Sequence, residues 1–430
     1  MDADIFDAIV VGSGPAGSAA AYTMAKAGLN VLVLERGQYV GAKNMWGGAF
    51  FGPVMNELFP GFWKEAPVER YLTRHVISFM TEKDCLSVDF KSPHGDFDQA
   101  PGFVILRAKF DRWMGSKVEE AGAIIATGLE VTDFIFEGNR ITGVKVGDED
   151  FLANVVILAD GVNSLLATKA KLRGDFKDVD LKQGVKEVIR LPREVIEDRF
   201  GITGNEGVVM EFVGSCTRGL PGGGFVYTNQ DSISVGVVAQ LSALIKNQVK
   251  ASDLIDKFKD HPAVRPLWRN GETLEYSAHL IPVSGIEMMP KLYADGIMVA
   301  GDAAAMVLGT GLILEGANFA MAAGIAAGET AIRAKEKGDF TSSTLNGYEQ
   351  LLKSRFVLKD LETFRRAPHF LENPRIYNAY PELACGLMGS IFHSDGKPRK
   401  NTLEVVMGAM KGKVSLWQIA MDAMKARKAL

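Results

Sequence analysis

Residues 7–37 read DAIVVGSGPAGSAAAYTMAKAGLNVLVLERG. The apolar run Ala8–Val11 predicts a short buried strand, and the turn Gly12-Ser13-Gly14-Pro15-Ala16-Gly17 follows it. Ser18–Ala27 carries small residues at helical spacing, and Gly28 stops that helix. A second apolar run, Val31–Leu34, ends in Glu35. This is a βαβ unit with GxGxxG at its first turn. Each part has a mechanical reason. Gly12 allows the tight turn, Gly14 lets backbone approach a pyrophosphate, and Gly17 lets the helix pack close to the strand. The helix N-terminus offers free N–H groups to phosphates, and Glu35 is placed to accept ribose hydroxyls. The unit predicts dinucleotide binding, with a glycine-rich packing turn as the plain alternative. It does not separate FAD from NAD.

The chain has 430 residues, which suggests two or three domains. A net charge of −4 argues against a nucleic-acid partner, which calls for a basic face. The 46 glycines exceed average usage and cluster at sharp turns, as loops near a ligand do. Cys85, Cys216 and Cys385 are far apart and form no CxxC pair, so no metal site is predicted in this chain. They read as free thiols in a reducing cytoplasm. The acidic N-terminal residues do not read as a signal peptide. The most apolar stretch is GDAAAMVLGTGLILEGANFAMAAG, 301–324. Asp302 and Glu315 limit its uncharged core to Ala303–Leu314, too short to span a bilayer.

Three further segments belong with the N-terminal unit. Gly47 and Gly48 in GAKNMWGGAFF (41–51) imply a close backbone approach. Arg107 leads into a helix. Val155–Leu158 reads as a buried strand, with Asp160-Gly161 at the turn after it and a helix from near Ser164. The 301–324 stretch completes the set: the strand Ile297–Ala300 runs into Gly301-Asp302. That places a carboxylate at the carboxyl edge of a sheet, where open α/β sheets bind ligands. A glycine loop over Gly309–Ile313 and a small-residue helix over Gly316–Ala327 follow.

Together these segments resemble the FAD-dependent oxidoreductases of the glutathione-reductase and hydroxylase type. The resemblance implies an α/β fold: a Rossmann-like FAD-binding domain, an inserted β-rich substrate or quinone domain, and a helical C-terminal region. The FAD domain is expected from 1–75, 100–170 and 285–360, the β-rich domain from 76–99 and 171–284, and a docking region from 361–430. It implies non-covalent FAD held by Gly12, Gly14, Pro15, Ala16, Gly17, Glu35, Arg36, Asn44, Gly47, Gly48, Arg107, Val131, Asp160, Gly161, Gly301, Asp302, Gly311, Leu312 and Ile313. Glu35 would hold the adenosine ribose and Asp302 the ribityl or pyrophosphate region. Backbone at Gly311–Ile313 would face the pyrimidine end of the flavin.

Segment order narrows the resemblance. KNMWGG, ILRAKFDRWM, PGGGFVYTNQDSISVGVV, HLIPVSG and the 301–324 stretch are similar to the electron-transfer flavoprotein–quinone oxidoreductase family, nearest its FixC-type members. The fused members carry a ferredoxin-like domain whose cysteines bind a four-iron cluster. This chain has only Cys385 in its last 200 residues. The resemblance therefore implies a separate small ferredoxin-like subunit bearing the cluster, an electron-transfer flavoprotein heterodimer as donor, and quinone as acceptor. Some such complexes bifurcate electrons from NADH, and the sequence leaves that open here. No catalytic acid or base is assigned. His279 is a candidate proton donor, with a structural histidine as the plainer reading.

Residues 361–400 read as loop-rich. Residues 401–430 carry helix-like apolar spacing and a charge of five bases against two acids, +3. A basic amphipathic helix suits an anionic membrane surface or a docking partner, and an ordinary packed terminal helix fits equally. The expected location is cytoplasmic, peripheral to the cytoplasmic membrane. The rival readings are a geranylgeranyl-type prenyl reductase, a flavin monooxygenase, and a non-enzymatic FAD-fold binding protein.

Overall fold

The computed structural model describes residues 5–43, 47–92, 100, 102–311, 313–394, 396 and 398–430. Its strands, in chain order, are β1 (Phe6–Val11), β2 (Val31–Glu35), β3 (Gly47–Phe51), β4 (Val68–Met80), β5 (Cys85–Lys91), β6 (Gly102–Leu106), β7 (Ile124–Thr127), β8 (Asp133–Glu137), β9 (Arg140–Val146), β10 (Glu149–Leu158), β11 (Leu181–Arg190), β12 (Glu206–Gly214), β13 (Gly222–Thr228), β14 (Ser232–Gln240), β15 (Glu272–Pro282), β16 (Tyr293–Ala294), β17 (Ile297–Val299), β18 (Leu308–Gly309) and β19 (Leu314–Glu315). Two sheets carry most of them.

The first sheet has the order β16-β17-β10-β1-β2-β7, with the β8–β9 hairpin attached at β10. Strands β17, β10, β1, β2 and β7 run parallel. Continuous apolar runs suit strands covered on both faces, and Ala8, Ile9, Val10, Val155, Val156, Ile157 and Leu158 are fully buried. The helix Pro15–Lys26 begins with proline at its first turn, where no backbone N–H is needed.

The helix Ala317–Lys337 runs ten residues past its expected end at Ala327 and stops at Gly338, in the left-handed region at φ +64°. It packs on Pro15–Lys26 with almost no space between the backbones. A Cβ at Gly324 would lie 2.1 Å from the Ala16 carbonyl oxygen, and one at Gly328 2.9 Å from Thr23 Cβ. The end of stretch 301–324, from Ala317, therefore belongs to a buried helix pair. Among the described residues no helix is long and apolar enough to cross a membrane.

The second sheet has the order β15-β11-β14-β13-β12-β4-β6-β3, with β5 on β4. It takes in β3 and β6, and β4 crosses residue 75. The β-rich unit thus claims strands that the sequence boundaries assign to the cofactor domain. Apolar residues in β3 and β6 do not reveal which sheet they join. One face of this sheet, with Val208, Phe212, Val226, Val235 and Val237, buries itself against Phe258 and Trp268. The other, with Val209, Phe225, Tyr227, Val238 and Ile281, turns toward the cofactor domain. Gly222–Gly224 open β13. Their missing side chains make room for neighbours: a Cβ at Gly222 would meet the Val238 carbonyl oxygen at 2.0 Å, and one at Gly224 would meet the Phe258 ring at 3.1 Å.

The C-terminal region is more helical than the expected loops, with helices Ala367–Phe370, Ala379–Phe392, Thr402–Met410 and Leu416–Ala429. Pro368 and Pro374 occupy the opening positions of a helix and a 3₁₀ turn. The single amphipathic helix expected from residue 401 divides in two. Gly412 stands between them at φ +76°, and the Ser415/Gln418 capping box starts the second.

One buried pair ties this region together. Arg375 donates to both Asp422 oxygens at 2.7 Å, and Tyr380 donates to Oδ2 at 2.5 Å. The Asp422 side chain is 4% exposed, and the Arg375 guanidinium holds its carboxyl well below the usual carboxylate range. The Arg375 side chain is 31% exposed, so removing Asp422 leaves a cation that water still reaches and costs about 1–3 kcal/mol. Asp422→Ala is expected to loosen residues 367–430, seen as faster limited proteolysis there with the rest of the chain intact; an unchanged cleavage pattern would contradict it.

Candidate cofactor site

A cavity of about 830 Å³ lies where the carboxyl ends of β1, β2 and β10 meet the inner face of the second sheet. The turn after β1 is built for close approach. Gly12 sits at φ +95°, where a Cβ would stand 2.5 Å from the Ala159 carbonyl oxygen. A Cβ at Gly17 would stand 1.9 Å from the Gly12 carbonyl oxygen. Only glycine fits either position. The following helix aims its N-terminus at the cavity through Gly14, Pro15 and Ala16.

Glu35 does two things. Its carboxylate accepts from the Ser13 amide at 2.9 Å, the Ser13 hydroxyl at 2.7 Å and the Gly37 amide at 2.7 Å. It thereby fixes the glycine turn against the end of β2, and it also lines the cavity.

Arg107 opens the helix Arg107–Glu120 and reaches the cavity wall. Asp111 clamps it with contacts of 2.6 and 2.7 Å. Burial opposes its charge, but Asp111 and Asp302 outweigh that and raise its pKa. Asp302 follows Gly301 at the end of β17. Burial pushes its carboxyl up, while His279 and Arg107 pull the other way. His279 projects from β15 into the same space, where burial lowers its pKa. The first turn of Ala317–Lys337 completes this end through Gly316, Ala317 and Ala320.

On the β10 side, burial pushes the Asp160 carboxyl up to about 6. Its Oδ1 and the Ser164 hydroxyl oxygen are buried without a hydrogen-bond partner among the described residues. Both residues line the cavity, and the Ser164 side chain beside Asp160 works against the burial that raises its carboxyl.

Gly12, Gly14, Pro15, Ala16, Glu35, Arg36, Gly48, Arg107, Val131, Asp160, Gly161 and Asp302 all line the cavity. Gly17, Gly47 and Gly301 stand one layer behind. A Cβ at Gly47 would meet the Ile105 carbonyl oxygen at 2.7 Å, and one at Gly301 would meet Ala16 Cβ at 2.9 Å. Gly311 and Ile313 are not brought to the wall. Gly311 faces Leu371, whose Cδ2 would lie 2.6 Å from an added Cβ, and Ile313 is 42% exposed. Val307 and Leu314 line the cavity on either side of that loop. Asn44 and Leu312 lie outside the described residues. Glu315 accepts from Asn318 Nδ2 at 2.6 Å, across the first turn of Ala317–Lys337. Its carboxyl thus sits at the helix end whose dipole favours a negative charge.

Apart from Gly48 and His279, sequence reasoning named none of the residues that the second sheet brings to the cavity. Gln183, Tyr227 and Ile281 line the cavity from β11, β13 and β15. Lys186 is fully buried near them, paired with Glu275 at 3.3 Å, and burial lowers its pKa. Only the pairing of distant strands brings these residues together, and no local motif announces it.

Residues 7–169 match the family model of FAD-dependent oxidoreductases, and residues 367–430 match the C-terminal domain of the ETF-QO/FixC family. Across the whole of both chains this protein is 44% identical to the probable electron transfer flavoprotein-quinone oxidoreductase YdiS of Escherichia coli K12. It is 42% identical to Protein FixC of the same strain, over 99% of both chains. The chain belongs to the ETF-QO/FixC family. The fold of this chain also has relatives at lower identity. A geranylgeranyl bacteriochlorophyll reductase-like protein of Thermoplasma acidophilum superposes with a TM-score of 0.74 at 21% identity, covering 98% of this chain and 99% of that one. The flavin-dependent brominase Bmp2 superposes at 0.61 with 16% identity, over 98% and 94%. As an ETF-QO/FixC protein the chain is a flavoprotein oxidoreductase that transfers electrons with FAD. The glycine cradle and the helix N-terminus fit that cofactor.

Proposed function

We propose that this chain passes electrons from an electron-transfer flavoprotein to a quinone, holding FAD non-covalently in the cavity described above. The observation that carries the reading is full-length similarity to a protein named as a probable electron transfer flavoprotein-quinone oxidoreductase, joined to a cavity whose polar walls suit a dinucleotide. FAD supplies the redox chemistry when bound, while the chain supplies position and electrostatics. The Gly12–Gly17 turn and the helix behind it would take the pyrophosphate, Glu35 the adenosine ribose, and Asp302 the ribityl hydroxyls. Asp160 and Ser164 would bond the cofactor along the β10 wall. Asn44, Gly311, Leu312 and Ile313 stay part of the proposal, the last three by approach of backbone from the 309–313 loop.

The proposal includes partners. An iron–sulfur cluster would belong to a separate ferredoxin-like subunit, since this chain has three cysteines and no CxxC pair. Assembly with that subunit and the electron-transfer flavoprotein is the setting in which bifurcation from NADH would occur.

Membrane contact would come from the C-terminal helices, where Phe392 is 81% exposed, Leu403 71%, Leu416 63% and Trp417 70%. Lys425, Arg427 and Lys428 stand on the last helix. This combination suits a peripheral hold on an anionic surface. Burying one such apolar side chain is worth about 1.5–3 kcal/mol, so Leu416→Ser with Trp417→Ser is expected to weaken cosedimentation with phosphatidylglycerol vesicles at least about tenfold. Undiminished cosedimentation would remove the membrane from the proposal.

The decisive test is purification with native partners, followed by flavin and iron counts and an assay of quinone reduction with an electron-transfer flavoprotein donor. A yellow chain inert toward every such donor and quinone would refute the reading. The large fold similarity to a geranylgeranyl reductase-like protein leaves prenyl reduction as the second reading, and turnover of a prenyl double bond would favour it.

A further inference from the structure

On the cavity-facing side of the second sheet, Tyr227 and Glu211 stand on adjacent strands. Strand β12 pairs with β13 so that Val209 lies opposite Tyr227 and Glu211 opposite Phe225. Glu211 and Tyr227 are therefore diagonal neighbours on one face, about 7–8 Å apart at Cα in this geometry. Tyr227 forms part of the cavity wall, held by Phe225 at a ring separation of 5.0 Å. A Cβ at Gly48 would lie 3.0 Å from the Tyr227 ring, so β3 presses on it directly. Glu211 stands one step further from the cavity, toward the C-terminal helices. Three residues along β12, a Cβ at Gly214 would be 3.2 Å from Pro381 Cβ. On neighbouring β4, the Phe79 carbonyl accepts from the Cys385 thiol. Among the described residues neither the Tyr227 hydroxyl nor the Glu211 carboxyl has a hydrogen-bond partner in the protein.

We propose that Tyr227 and Glu211 form a proton relay that serves the acceptor reduced in this cavity. The proposal rests on the quinone-reducing reading above and names the proton path that reading lacks. Reduction of a quinone to a quinol takes two electrons and two protons. The electrons come from the flavoprotein donor. For each proton, the Tyr227 O–H passes its proton to a quinone oxygen, Glu211 reprotonates the phenolate through one intervening water, and solvent reprotonates Glu211. Two such cycles balance the reaction with no further reactant.

The surroundings let Glu211 carry a proton at neutral pH. Burial pushes its carboxyl up to about 7. On β4, His75 is level with Val209, and burial lowers its pKa, which leaves it neutral there. On β13, burial and Glu211 together raise the Tyr227 phenol, so it stays protonated until a proton is drawn from it. The helix Ala379–Phe392, packed at the far end of β12, carries Tyr380, Glu382 and Cys385. Tyr380 is committed to Asp422, Glu382 to Lys413, and burial raises the Cys385 thiol. No cation from these elements holds Glu211 ionised.

The test compares holoenzyme carrying Glu211→Gln or Tyr227→Phe with the wild type. In the wild type, quinone reduction should fall as pH rises through about 7, where Glu211 loses its proton. Glu211→Gln should lower quinone reduction by about 10²–10⁴-fold and abolish that limb of the pH profile. Its ratio of quinone to ferrocenium reduction should fall alike, because ferrocenium takes an electron and no proton. An independent readout needs no turnover: the infrared carboxylic C=O band of the wild type should titrate with a midpoint near 7, be absent in Glu211→Gln, and persist in Tyr227→Phe. A Glu211→Gln enzyme with the wild-type pH limb, an equal loss toward ferrocenium, or no titrating band overturns the relay. A wild type that reduces ferrocenium but no quinone overturns the functional reading itself, and the relay's substrate with it.

Discussion

A chain carrying Gly12→Ala is expected to be made and to purify without flavin. Gly12 sits at φ +95°, and an alanine Cβ there would meet the Ala159 carbonyl oxygen at 2.5 Å, the Ala159 carbonyl carbon at 3.1 Å and Asp160 Cα at 3.4 Å. All three are backbone atoms of the turn after β10, which cannot rotate aside as a side chain can. The left-handed conformation alone costs about 1–2 kcal/mol for a residue with a Cβ, and relief of the clash must part the ends of β1 and β10. Those two strand ends form one rim of the cavity, so the displacement falls on the surface that would hold the pyrophosphate. A loss of about 3 kcal/mol in binding is more than a hundredfold in affinity. The control is Gly28→Ala: φ is +81°, yet no atom lies within 4 Å of an added Cβ. That variant carries the conformational cost without the collision and should keep its flavin. Flavin released per chain, with far-ultraviolet circular dichroism as the check on folding, decides it. Stoichiometric flavin in folded Gly12→Ala would contradict the placement of the pyrophosphate.

That prediction comes from the part of the molecule most legible in sequence. The βαβ unit from Phe6 to Glu35 depends on contacts within about thirty residues. Its apolar runs, glycines and terminal acid each occupy the place their chemistry demands. The same holds for Asp160 and Asp302, each fixed by the end of a buried parallel strand. Legibility fails where neighbours come from far along the chain. Tyr227, Gln183 and Glu211 lie on strands whose alternation predicts a sheet but not which face meets the cofactor domain. Gly47 and Gly48 were legible as points of close approach. Gly48 reaches the cavity, whereas Gly47 is pressed against β6 and Gly48 also makes room for the Tyr227 ring. A glycine reports that something is near, and only the fold says what. The C-terminal region shows the converse error. Residues 361–400 read as loop-rich, yet Pro368 and Pro374 begin a helix and a 3₁₀ turn, and a proline that breaks a helix and one that begins it look alike without the preceding backbone.

Arg107 offers the largest effect beyond the glycine turn, because one guanidinium serves two carboxylates. Asp111 is completely buried and accepts both of its contacts, and Asp302 feels its charge across the cavity. Arg107→Met removes the cation that offsets the buried Asp111, a change that costs about 3–5 kcal/mol in comparable pairs. It also removes one of the two groups that lower the Asp302 pKa, so Asp302 should hold its proton to higher pH. A protonated Asp302 keeps one acceptor oxygen fewer for ribityl hydroxyls. The single variant should therefore unfold at lower urea and bind FAD poorly, with binding improving as pH rises and Asp302 ionises. The double variant Arg107→Met with Asp111→Leu removes both charges. Buried ion pairs replaced whole by apolar groups are often neutral or stabilising, so the double variant should recover most of the urea midpoint. It should not recover FAD affinity, because the cavity wall still lacks its cation. Recovery of both together would show that Arg107 acts only by holding Asp111, and that the cofactor needs nothing from its charge.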